Sequence, residues 1–249
     1  MSDKKVYIDS LSIEVTRRCN LECEHCMRGD AQNKDLDIDL LEKFFQKING
    51  ISGITLTGGE PTLALDKIKA VRELLIKYEI PLSWFYIVIN GTYVSDEFLV
   101  EMIQWYTYCT KHEPCEELCG VAISRDDFHD EIYEDDLIKL KGLSFFRPHD
   151  KEVDFSTIPL LNIGRAKNLN GYKKRNALPT KGYEVKTFGD GSINIYDTTL
   201  GFTVDGNILN DCDYAYDDIE DILITNVNEP LWFEKLICNP NYIAYRKPA

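Results

Sequence analysis

The sequence predicts an α/β fold, a partial (β/α)6 barrel followed by a small C-terminal β-rich appendage. Three observations predict it. Segments rich in β-branched and aromatic residues alternate with segments of helical period through the first two thirds of the chain. Such alternation calls for parallel strands covered by helices. Beyond residue 166 the pattern turns to short strands joined by Gly/Asp turns. The expected organisation is therefore a barrel core over residues 1–166 and an appendage with its tail over 167–249.

Residues 1–10 read as an entry segment and 11–18 as the first core strand. A loop runs to about Asp37. Leu40, Leu41, Phe44, Phe45 and Ile48 then follow the spacing of an amphipathic helix over 38–48, closed by Asn49-Gly50. Residues 53–57 form a second strand, 65–78 a helix, 82–90 a third strand and 96–108 a helix. Residues 120–124, 144–147 and 155–163 complete six strands, with a helix over 131–140. In a parallel barrel the functional site belongs at the carboxyl ends of the strands. In the tail, 183–188, 192–196, 201–204 and 207–209 read as strands, turned by Gly189-Asp190-Gly191 and Asp205-Gly206.

At 249 residues the chain is long enough for a sizeable core, and 44% hydrophobic with 28% charged residues is ordinary for a globular protein. No apolar run is long enough for a membrane span, and Met-Ser-Asp-Lys-Lys-Val lacks the core of a secretory signal, so a cytoplasmic location is expected. A net charge of −14 makes nucleic acid an unlikely partner, because affinity for it rests on Lys and Arg neutralising phosphates.

Cys19, Cys23 and Cys26 sit within eight residues at the end of the first strand. On a helix, 19, 23 and 26 would form one apolar stripe. Ile13, Val15 and Thr16 before them and Gly29-Asp30 after them read instead as strand then loop. Three thiolates on a loop suit an iron-sulfur centre with one iron left open. After the second strand comes Gly58-Gly59-Glu60-Pro61, which by itself reads as a turn leading into a helix.

Together, the CxxxCxxC spacing and Gly-Gly-Glu-Pro resemble the radical S-adenosylmethionine (radical SAM) superfamily, most clearly over residues 11–166. The resemblance implies one three-cysteine-ligated [4Fe-4S] cluster on Cys19, Cys23 and Cys26, with S-adenosyl-L-methionine (SAM) chelating the open iron. It implies reductive cleavage of SAM to a 5'-deoxyadenosyl radical that removes hydrogen from a substrate. Gly58, Gly59 and Glu60 would bind SAM, with Glu60 accepting from its ammonium. His25, just before the third cysteine, would lie near the adenine; Asn90 and Ser124 would contact ribose and methionyl portions. Val204 to Ile208, Cys212 and Ile224 to Val227 resemble a shortened SPASM or twitch extension. That tail favours a peptide substrate over a small molecule. A glycyl-radical-activating enzyme and a non-catalytic iron-sulfur or SAM-binding sensor are the rival readings.

Asp126, Asp127 and His129 follow the fourth strand and are candidates for proton transfer or for gripping a cationic group, unless the acidic pair only starts the next helix. Arg17, Arg18 and Arg28 stand out on an acidic chain as a docking site for an electron donor such as flavodoxin or ferredoxin, and as anchors for the anionic end of SAM. Cys109, Cys115 and Cys119, with His112, lack the paired spacing of a zinc site and read as free thiols; Cys212 and Cys238 are too few for a second cluster. The acidic run 211–221 reads as a solvated segment or as a surface for a basic peptide.

Overall fold

The computed structural model of the chain describes residues 5–112, 114–124, 126, 128–129, 133–147, 157–176, 183–196 and 199–238. Its centre is strand β1 (Val6–Thr16), buried on both faces over its second half. That strand begins five residues before the expected start, because Val6 donates to Asn49 Oδ1 (2.9 Å) and accepts from Asn49 N (2.7 Å). Helix α1 (Ile38–Phe45) starts on Asp37, whose side chain accepts from Asp39 N and Leu40 N. It stops three residues earlier than its apolar period predicts, since Gly50 already belongs to β2 (Gly50–Gly58). Helix α2 (Leu65–Lys77), β3 (Leu82–Ile89), α3 (Asp96–Thr110), β4 (Gly120–Ile123), α4 (Glu134–Lys141) and β5 (Phe146–Arg147) follow in the predicted order. Ser95 caps α3 by accepting from Phe98 N.

Strands β1 to β5 lie side by side and parallel, in sequence order. The sixth strand expected at 155–163 is a correction. Its described part yields only β6 (Leu160–Leu161), which pairs with β7 (Lys174–Arg175) in a separate two-stranded sheet. Residues 148–156 lie outside the described residues.

The tail returns to the other edge of β1. Strand β8 (Glu184–Thr187) pairs antiparallel with β9 (Ile193–Tyr196), and β9 runs parallel to the start of β1. Strand β10 (Leu200–Phe202) is parallel to the middle of β1, and β11 (Asn207–Leu209) and β12 (Leu223–Asn226) extend the sheet antiparallel. The segment expected as an appendage thus shares one ten-stranded sheet with the barrel strands. A last helix, α5 (Trp232–Cys238), covers it: Trp232 lies 5.8 Å from Phe44, which meets Phe202 of β10 at 5.2 Å. On the opposite flank Phe85 packs against Trp105 and Phe145. These large side chains, all buried except the half-buried Trp232, supply most of the driving force that joins helices to sheet. Among the described residues no helix is long and apolar enough to cross a membrane.

Candidate functional site

Residues 17–37 leave β1 and return to it as a closed loop. Arg17 N donates to Lys34 O (2.8 Å), Gln32 N to Arg17 O (3.0 Å) and Leu36 N to Val15 O (3.0 Å), while Thr16 Oγ1 donates to Asp35 Oδ1 (2.6 Å). The stem is therefore fixed, and the three cysteines ride on its tip. Cys26 N donates to Cys23 O, and Leu21 N approaches Cys19 Sγ at 3.5 Å. All three thiols line one cavity of about 470 Å3 at the carboxyl ends of β1 to β4. Burial pushes the Cys19 thiol up, and the nearby Glu60, Cys23 and Cys26 push the same way. Three sulfur donors gathered on one cavity are a soft ligand set that suits an iron-sulfur centre.

The loop is clamped from below by residues far away in sequence. Arg28 is buried with its guanidinium 4.0 Å from the Tyr214 ring centroid and donates to Tyr214 O (3.1 Å). Arg17, also buried, donates to Glu14 Oε2 (3.1 Å) and Gln32 Oε1 (3.0 Å) and lies over Tyr216. These contacts correct two expectations. Arg17 and Arg28 are internal struts, closed to a docking electron donor, because an acidic strap covers them. The acidic run 211–221 is correspondingly not a solvated segment at its centre, where Tyr214, Ala215 and Tyr216 are buried.

The glycines of Gly58-Gly59-Glu60 are needed where the chain leaving β2 runs against the end of β1. A Cβ on Gly58 would stand 2.0 Å from Thr16 O, and one on Gly59 2.2 Å from Arg18 O; Gly58 also has a φ of +145°. Gly59 N and Glu60 N donate to those same two carbonyls at 2.8 Å. Glu60 is buried. Its Oε1 accepts from Thr62 N (3.0 Å) and Thr62 Oγ1 (2.6 Å), and its Oε2 from Asn90 N (2.7 Å). Burial raises its pKa against the pull of those hydrogen bonds. Three donors already occupy the carboxylate, so its first visible task is to tie β2 to the end of β3. Asn90 in turn donates to Asn20 Oδ1 (2.9 Å), and Asn20 donates to Thr92 Oγ1 (2.7 Å), which joins β3 to the cysteine loop.

Ser124 N donates to Ile89 O (2.9 Å), holding the end of β4 against β3. Beyond it, Asp126 Oδ1 accepts from Phe128 N (2.9 Å) and lies 2.8 Å from His129 Nδ1, while Oδ2 lies 3.5 Å from His25 Nε2. His25 stacks on Phe128 with centroids 4.4 Å apart. Burial opposes the ion pair, yet the imidazole hydrogen bonds hold Asp126 well below the usual carboxylate range. His129 is pushed up to about 10 by Asp126 and by the nearby Cys23 thiol, which outweigh its burial. His25, Asp126 and His129 share the cavity with the cysteines, Gly58, Gly59, Glu60, Asn90 and Ser124. Asp127 lies outside the described residues. Cys109, Cys115 and Cys119 sit near the amino ends of β3 and β4, away from the cavity, with Cys115 N bonded to Ser83 O.

Residues 13–106 match the family model of the radical SAM superfamily. This segment is a radical SAM domain. The chain is similar to the protein YfkA of Bacillus subtilis (strain 168), 40% identical over 75 residues, 28% of this chain and 20% of that protein. It is also similar to GTP 3',8-cyclase of Lactiplantibacillus plantarum, 32% identical over 75 residues, 26% of this chain and 22% of that protein. These matches span about a fifth of either relative's length. Among solved structures, native anSMEcpe with bound AdoMet and Kp18Cys peptide superposes with a TM-score of 0.56, covering 93% of this chain and 80% of that one at 14% identity. The fold is that of the radical SAM enzymes.

Sequence reasoning missed the supports of the radical SAM domain. Arg165 N donates to Cys26 O (2.9 Å), and Gly164, at φ +56°, lets the chain pass the Cys26 and Met27 carbonyls. Arginines flanking the cysteines of so acidic a chain were the available signal for the Arg17 and Arg28 clamp. Nothing local in the sequence foretells which tyrosines receive them.

Proposed function

We propose that the chain is an enzyme that holds one [4Fe-4S] cluster on Cys19, Cys23 and Cys26, binds SAM beside it, and removes a hydrogen atom from a peptide or small-molecule substrate. The observation that carries this reading is the meeting of three thiols and the Gly58–Gly59–Glu60 loop on one cavity. Its volume, about 470 Å3, is within the range of small-molecule sites. When bound, the cluster and SAM supply the one-electron reduction and the 5'-deoxyadenosyl radical.

The chain supplies the frame. The loop stem and the Arg17 and Arg28 clamp hold the cysteines still, and the Glu60–Asn90–Asn20 chain of hydrogen bonds keeps the SAM wall in register with them. Gly58 and Gly59 present backbone to the cavity, Asn90 and Ser124 polar groups at the ends of β3 and β4, and His25 a ring face for the adenine. Met27, Ile158, Leu160 and Leu161 line the same cavity and help exclude water from a reactive centre. Asp126 and His129 stand ready to hold or move a proton. Flavodoxin or ferredoxin is the proposed reductant. The tail strands support a peptide substrate, whereas similarity to a GTP 3',8-cyclase supports a small molecule.

The test is product analysis. Anaerobically reconstituted protein given dithionite and SAM should release 5'-deoxyadenosine and methionine, and the C19A/C23A/C26A variant should release neither. Wild-type protein that retains its iron and yields no 5'-deoxyadenosine would support a sensor and end the enzymatic reading.

A further inference from the structure

The chain carries 42 acidic residues against 28 basic ones, yet among the described residues its cavity is lined by four arginines and only two carboxylates. Both carboxylates are occupied: Glu60 accepts three hydrogen bonds, and Asp126 faces His25 and His129. Two of the arginines are occupied as well, Arg17 by Glu14 and Gln32, and Arg28 by Tyr214. Arg165 and Arg175 are left over. Arg165 sits in the short turn Gly164–Asn168, whose Arg165 N donates to Cys26 O (2.9 Å), so its guanidinium rides on backbone fixed to the cysteine loop. Its Nε is buried with no hydrogen-bond partner. Its one ion pair, to Asp30 at 3.6 Å, is made with a side chain 91% exposed, where water screens it. Arg175 ends β7 and is held against β6, since Asn162 N donates to Arg175 O (2.8 Å), and it forms no ion pair among the described residues.

We infer that Arg165 and Arg175 are specificity-determining residues that receive an oxyanion of the substrate, a carboxylate or a phosphate. A buried donor left without an acceptor costs free energy, and a ligand that brings the acceptor recovers it. The planar guanidinium fork matches either oxyanion, and a cluster of one sign in a cleft concentrates ligands of the other. Leu160 and Leu161 line the cavity beside them and lower the local dielectric, which strengthens the attraction. The substrate is thereby narrowed from any peptide or small molecule to an anionic one. The inference rests on the proposed function above, in which the carboxylate of SAM belongs to the open iron and leaves these guanidinia to the substrate.

The experiment is a calorimetric titration of the full reconstituted chain, with SAM present, using inorganic pyrophosphate and glutarate as separate probes. At least one should bind, and the tighter of the two tells phosphate from carboxylate. Arg165→Gln and Arg175→Gln should each weaken that binding by about tenfold or more, the scale of one charge-assisted hydrogen bond. Arg175 is exposed, so its variant reads the site even if Arg165→Gln does not fold. Binding of neither probe, or binding that either folded variant leaves unchanged, overturns the inference. So does an Arg165→Gln protein that loses affinity for SAM and keeps it for the probe, because the guanidinium would then serve SAM. Wild-type protein that holds no iron would count against the proposed function alone, and the same titration of that protein still decides for or against the arginine pair.

Discussion

The guanidinium of Arg28 lies 4.0 Å from the centroid of the Tyr214 ring, across 186 residues of sequence. The contact fastens the cysteine loop to the strap after β11 and makes the tail part of the site's foundation. Arg28→Met should remove about 2 kcal/mol of stability, the scale of a desolvated cation–π contact. Urea denaturation of the purified chain measures it. An unchanged midpoint would mean that the clamp does not hold the loop.

The close approach of the chain just after β2 to the chain just after β1 predicts intolerance at Gly59. Its Cβ would meet Arg18 O at 2.2 Å, whereas Gly189 has nothing within 4 Å. Gly59→Ala should cost about 1–3 kcal/mol through forced backbone movement. Gly189→Ala should stay within about 0.5 kcal/mol. Thermal melts of the two variants side by side give the comparison.

Glu60 ties two strand ends by accepting three hydrogen bonds. Glu60→Gln keeps the shape but turns an NH2 group toward a donor, which should cost about 1–3 kcal/mol. It should also loosen SAM, since Asn90 loses its anchor. Calorimetric titration of SAM into the reconstituted variant reads the second effect.

Asp35 gives a pH dependence of known sign. Burial would raise its pKa, but hydrogen bonds from Arg18 and Thr16 outweigh it and hold the carboxyl below its ordinary value of 3.8. A lowered folded pKa stabilises the protein above the ordinary value and loses that contribution as pH falls through the folded one. Asp35→Asn should therefore be less stable than wild type at pH 7, by up to about 1 kcal/mol for a partly exposed pair. The gap should close as the pH falls below 3.8 and on through the lowered folded value. A gap that widens in acid would reverse the assignment.

Much of this architecture was legible in the sequence, for reasons that differ by element. The alternation of β2, α2, β3 and α3 is strongly periodic, and those elements fall within a few residues of their expected bounds. The cysteine spacing and Gly58-Gly59 were also readable, although the glycines serve the close approach of two adjacent chain segments as well as any ligand. Helix α1 ended early because Asn49 was drawn into pairing with Val6, a tertiary contact that outweighs apolar periodicity. The strands β9 and β10 were found, but their return to the edge of β1 depends on long-range pairing that local patterns do not encode. Burial of Arg17, Arg28, Tyr214 and Tyr216 has the same origin: charge counts on a sequence do not say which cations face inward.

The most direct test of the central claim is the electron paramagnetic resonance spectrum of the reduced, reconstituted protein before and after SAM is added. An iron held open by only three sulfurs should give a [4Fe-4S]+ signal whose g-values change on SAM binding, with four irons per chain. A spectrum indifferent to SAM, or one that survives unaltered in the C19A/C23A/C26A variant, would contradict the account.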